Sequence, residues 1–126
     1  MKSALLACLA LSLSSCLSST PDVCTQTATE PATSVTGPKT ASVNQAVAFT
    51  IGYPIENGCG KLAGVSEQVQ GATRFLGVMV KYDGCNCPQT VTASQTSYTF
   101  QTAQAGTYFL KFATTGGFIT DTLVVK

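Results

Sequence analysis

The chain contains no histidine and no tryptophan. Without histidine, Ser-His-Asp and Cys-His catalysis are excluded, and so are the common zinc-hydrolase sites. Charge is also scarce, with seven Lys and Arg and six Asp and Glu in 126 residues. Nucleic-acid binding normally leaves a basic footprint, and a membrane-surface helix leaves a polybasic one. Neither is present. No apolar run approaches the ~20 residues of a spanning helix, and no helical period follows the first residues. A protein built this way is a poor candidate for an enzyme, and the sequence implies no metal or cofactor.

The first residues carry the clearest positive signal. Met1-Lys2-Ser3 places one cation before an apolar run of about ten residues, Ala4 to Leu13, and small residues follow. That layout predicts a secretory signal over residues 1–15. Leu13-Ser14-Ser15-Cys16 resembles the lipobox of bacterial lipoproteins, Leu-(Ala/Ser)-(Gly/Ala/Ser)-Cys. The resemblance implies cleavage before Cys16, diacylglycerol on its sulfur, and further acylation such as palmitate on the new amino terminus. Each buried methylene contributes roughly 0.8 kcal/mol, and one chain alone binds only marginally. Two or three chains on one cysteine make a lasting membrane anchor. Leu17 stands where the inner-membrane retention signal places aspartate. The implied address is therefore the cell envelope, at the outer membrane.

Loss of the signal removes Lys2, one of the seven cations, and leaves the remainder level with the six acidic residues. Four cysteines remain beyond the lipid carrier: Cys24, Cys59, Cys85 and Cys87. In an exported chain an even number predicts disulfides. Cys85–Cys87 is disfavoured, because residues two apart on a strand make a strained bridge. Cys24 and Cys59 then take one each, with the assignment open. A thiolate metal site is a weaker reading, since Cys85-Asn86-Cys87 lacks the two-residue gap of zinc knuckles.

Residues 16–36 are rich in Ser, Thr and Pro without apolar periodicity, and they read as a tether. Residues 37–126 read as one domain of short strands and turns. Val47, Phe49, Ile51 and Tyr53 alternate, and Pro54 is expected to end that strand. Asn57-Gly58 marks a turn suited to positive φ. Lys61–Gln70 forms a weaker strand and Arg74–Tyr82 a clear one, with Leu76, Val78, Val80 and Tyr82 on one face. Gln89–Ala93 is expected as a short strand. Thr96–Thr102 and Thr107–Thr114 follow. In Phe118–Lys126 the inward face is ambiguous. If Ile119 faces in, Asp121 is buried without an obvious partner, so Asp121 is expected to face outward. Seven to eight strands without a helix predict an all-β antiparallel sandwich.

Gln104-Ala105-Gly106-Thr107-Tyr108-Phe109-Leu110 resembles the corner before strand F of immunoglobulin-like domains, Asp-x-(Gly/Ala)-x-Tyr-x-Cys. Gly106 and Tyr108 match. Gln104 and Leu110 replace the aspartate and the cysteine, which excludes an antibody-type domain. The resemblance implies an immunoglobulin-like sandwich with Tyr108 as its tyrosine corner. It is silent on ligand. The Asn57-Gly58-Cys59-Gly60 turn and the Gly84-Cys85-Asn86-Cys87 segment are similar to those of small lipoproteins of the Bacteroidetes. Asp121-Thr122-Leu123 resembles the O-glycosylation sequon of that group.

Among the carboxylates Glu56, Glu67, Asp83 and Asp121, no spacing forces a glycosidase pair together. Phe75, Phe109 and either Phe118 or Ile119 are the aromatic or aliphatic candidates for an exposed binding patch. The expected function is a non-catalytic binding or adhesion module on a lipid anchor, with an envelope protein or glycan as partner. A small enzyme or inhibitor acting on envelope polymers is the alternative.

Overall fold

A computed structural model describes residues 24–126. The signal, Cys16 and the first part of the tether lie outside the described residues. The strands are β1 (Thr25–Glu30), β2 (Ser34–Thr36), β3 (Thr40–Ala41), β4 (Val47–Ile55), β5 (Gly60–Gln70), β6 (Thr73–Asp83), β7 (Thr92–Phe100), β8 (Gly106–Thr114) and β9 (Gly117–Val125). They form an all-β, immunoglobulin-like sandwich, in which a six-stranded sheet faces the three-stranded sheet β2-β4-β7. In the larger sheet, β5 takes one side of β6 along most of its length. The other side is shared, by β8 in parallel over Thr73–Leu76 and by β1 antiparallel over Val78–Asp83. β9 pairs antiparallel with β8, and the short β3 runs parallel to β9.

The alternating residues form the core. Val47, Phe49, Ile51 and Tyr53 of β4 face Leu76, Val78, Val80 and Tyr82 of β6 and Tyr108, Leu110 and Phe112 of β8. Phe49, Ile51, Val80, Leu110, Phe112 and Leu123 are fully buried. Burying each such side chain contributes about 1.5–3 kcal/mol.

Residues 24–36 were expected in the tether, and the structure places them in the sandwich. β1 is a polar strand in which only Ala28 is apolar. Its Thr25, Thr27 and Thr29 point outward, and β-branched residues suit a strand. The ladder with β6 holds it. The chain then crosses between sheets. Ala32 N–H donates to Ala113 O in one sheet and Thr33 N–H to Gly52 O in the other, both at 2.8 Å.

Two further expectations are corrected. β4 runs through Pro54, which pairs with Ala93. β2 covers β4 only at Thr50–Gly52, so at Pro54 the side of β4 away from β7 is an edge, where a missing donor is tolerated. Residues 84–91 contain no strand, and β7 starts at Thr92.

Asp121 faces inward with Ile119, Leu123 and Val125 and is 4% exposed. The strand period of two puts it there once the apolar neighbours choose the core. Its partner is Lys39, whose ammonium forms an ion pair with the carboxylate while the rest of the side chain stays largely exposed. Lys39 lies far away in sequence but is fixed beside β9, because Val124 N–H donates to its carbonyl at 2.9 Å. Lys39→Ala should lower stability by about 1–3 kcal/mol, since it strands a buried carboxylate. Asp121→Val, which removes the charge itself, should change stability by less than ~1 kcal/mol. Urea unfolding of both variants checks the contrast. Equal losses would refute it.

Candidate functional site

One end of the sandwich is closed by covalent bonds. Cys24–Cys85 ties the start of β1 to the β6–β7 loop, and Cys59–Cys87 ties the β4–β5 turn to the same loop. The Cα separations are 4.9 and 5.4 Å. Of the two assignments left open by the sequence, this is the one adopted. The turn itself is held by Asn57, whose Oδ1 accepts from Cys59 N–H at 2.9 Å. Neither Asn57 nor Gly58 has positive φ, contrary to the sequence reading. Glycine is needed at 58 for space, because a Cβ there would lie 2.9 Å from the Pro88 ring.

Between these bridges lies a cleft of about 380 Å³. β1 supplies Gln26, Ala28 and Glu30, which alternate toward the space between the sheets. Tyr82 of β6 forms the floor. Glu56 and Asn57 come from the end of β4 and its turn, and Gln89 from the stapled loop. Its walls mix carboxylate and carboxamide groups with Ala28, the Tyr82 ring and the bridged cysteines.

Glu30 and Tyr82 are its buried elements, at 5% and 7% exposed. The Tyr82 hydroxyl donates to Glu30 Oε1 at 2.6 Å and accepts from Glu56 N–H at 2.9 Å. Burial pushes the Tyr82 pKa up, and the bond to the Glu30 carboxylate pushes the same way. The phenol therefore remains a donor at neutral pH and holds Glu30 in place. Glu30 was assigned to the tether by composition, so its meeting with Glu56 could not be foreseen. The only signal was the alternation Gln26, Ala28, Glu30.

The other candidate residues lie elsewhere. The Tyr108 hydroxyl donates to Gln104 O at 2.9 Å and lies 3.1 Å from Thr102 Oγ1, bracing the corner before β8. Glu67, Arg74 and Tyr98 form a second polar group, in which Tyr98 donates to Glu67 and the Arg74 guanidinium stacks over Phe100 and Tyr108. Burial, then the Glu67 bond, pushes the Tyr98 pKa up. Asp83 accepts from Thr25 at the surface. No group of three His, Cys, Asp or Glu suited to a metal occurs among the described residues.

No family model, curated protein or solved structure matches the chain.

On the outer face of the larger sheet, Phe118 and Phe109 are exposed. Phe75 is half-buried and packs its ring edge-on against Phe118, with centroids 5.5 Å apart. Ile119 turns inward, which leaves Phe118 as the outward member of that pair. A shallow groove of about 330 Å³ runs beside Phe75 and Phe118.

Proposed function

We propose that this chain is a lipid-anchored protein of the cell envelope whose sandwich is a non-catalytic binding module. The observation that carries the reading is the pair of bridges within one small domain. Disulfides persist in oxidising compartments outside the cytoplasm, which is where the signal and lipobox would deliver the chain. A net charge of only +1 and the absence of histidine argue against nucleic acid as partner and against the common hydrolase mechanisms. The binding end is the bridged one, because it holds the cleft.

Anchoring would also orient that end. Cys24 lines the cleft and is eight residues from Cys16. At no more than ~3.5 Å per residue, the cleft stays within about 28 Å of the lipid. An outer-membrane address follows from Leu17. Cys16→Ala should move the protein from the membrane pellet to the soluble envelope fraction. Retention of the variant in the pellet overturns the anchor.

Glu30 and Glu56 in one cleft favour a second reading, a small enzyme acting on envelope polymers. Two carboxylates are the minimum for glycoside hydrolysis. Against it, Tyr82 already occupies one oxygen of Glu30. Turnover of isolated cell-wall glycan that disappears in both Glu30→Gln and Glu56→Gln would establish the second reading over the first.

A further inference from the structure

We infer that the cleft between the two disulfides is a binding site for an amino sugar, with the buried Glu30 carboxylate receiving the sugar's ammonium group. The inference rests on the binding-module reading and adds the ligand class.

Glu30 is the unusual residue. It is nine-tenths buried, yet among the described residues no Lys or Arg lines the cleft with it. Its single side-chain bond comes from Tyr82 to Oε1. Oε2 has no partner. Among the described residues, no fully buried side-chain oxygen lacks a hydrogen bond, so Oε2 is open to space. Glu30 also borders a hollow of about 140 Å³ beside Pro31 and Thr114. Tyr82 lines the cleft and not that hollow, so its bond fixes Oε1 of Glu30 at the cleft. A buried carboxylate with one free oxygen and no protein cation is costly unless a partner charge arrives. The contrast within the molecule is direct, because the other buried carboxylate, Asp121, has its own lysine.

The lining decides which cation fits. A calcium ion takes six to eight oxygens, and the acidic groups here are only Glu30 and Glu56. A lysine side chain would meet this lining with a stem of methylenes and leave the carboxamides of Gln26, Asn57 and Gln89 unpaired. Carboxamides and carboxylates in a cleft of about 380 Å³ instead suit a ring bearing hydroxyls as well as the ammonium. The volume lies in the range of small-ligand sites. Glu56 at the rim adds a second negative charge for the approaching cation.

The test is two-dimensional NMR titration of the purified full chain with glucosamine, N-acetylglucosamine, glucose, N-acetyl-lysine amide and calcium. Glucosamine should shift the amides of Gln26, Glu56 and Gly84, with at least tenfold weaker effect from N-acetylglucosamine and glucose, which lack the charge. Glu30→Gln keeps the acceptor for Tyr82 and should weaken glucosamine at least tenfold, whereas Glu67→Gln at the far polar group should leave it unchanged. If Glu30→Gln does not fold, the comparison of charged and neutral sugars on the unmodified chain still decides. Equal shifts from all three sugars, stronger shifts from the lysine amide or calcium, or no shifts at the cleft each overturn the inference. None of these outcomes touches the anchor, which the Cys16→Ala fractionation tests separately.

Discussion

Reduction of the purified protein should lower its melting temperature by ~15 °C or more. The Cys24–Cys85 bridge spans 61 residues and Cys59–Cys87 spans 28. In the chain-entropy account, closing such loops removes about 4 and roughly 3.5 kcal/mol from the unfolded ensemble. The loops overlap, so the two contributions are less than additive. Loss of about 4 kcal/mol, at about 4–8 °C per kcal/mol for a domain near 100 residues, gives the expected shift. The two bridges should not be equal. Cys24–Cys85 fastens β1, a strand with almost no apolar side chain, so Cys24→Ser/Cys85→Ser should release β1 and dismantle one wall of the cleft. Cys59–Cys87 fastens a turn that Asn57 and a bond from Gly58 N–H to Pro88 O already hold at 2.8 Å. Calorimetry with and without reductant, and on both double serine variants, measures this. A shift below ~5 °C in reductant, or a larger loss from the Cys59 pair, contradicts it.

The parts of this fold that were legible before the structure are those where apolar residues alternate. Strands β4, β6 and β8 each bury one apolar face against the other sheet, so the period of two is written in Val47 to Tyr53, Leu76 to Tyr82 and Tyr108 to Phe112. What was not legible has a common cause, which is partnership across long sequence separation. β1 contains Thr, Gln and Glu, the composition of a linker, and is a strand only because β6 offers it an edge and Cys85 a bond. Asp121 is tolerated inside because Lys39, 82 residues away in sequence, arrives beside it. Pro54 continues its strand because β2 is short. The candidate site suffers most from this blindness. Its key carboxylate, Glu30, sits in the supposed tether, and its hydrogen-bond partner Tyr82 was read only as a core residue. Glu30 and Tyr82 are 52 residues apart, and nothing in either local sequence refers to the other.

Gly37 illustrates the same limit and carries the second large effect. Beside Pro38 it reads as a turn glycine, chosen for backbone freedom. It does not have positive φ. A Cβ at this position would lie 2.2 Å from Phe49 Cδ1 and 2.6 Å from Cε1. Glycine is there because the ring of Phe49 lies against its backbone. That ring cannot yield, since Phe49 is fully buried and packs against Phe112 at a centroid distance of 6.3 Å. Gly37→Ala should therefore destabilise the domain by about 2–3 kcal/mol through overpacking, although alanine is acceptable to the backbone. Phe49→Ala should cost about 3–5 kcal/mol from the cavity it leaves. Phe49→Leu alone should cost less, and combined with Gly37→Ala it should cost less than the two single changes together, because the shorter side chain vacates the space the new methyl needs. Denaturant unfolding of the four variants closes the cycle. A neutral Gly37→Ala, or strict additivity in the double variant, would show that the glycine serves the turn and not the ring.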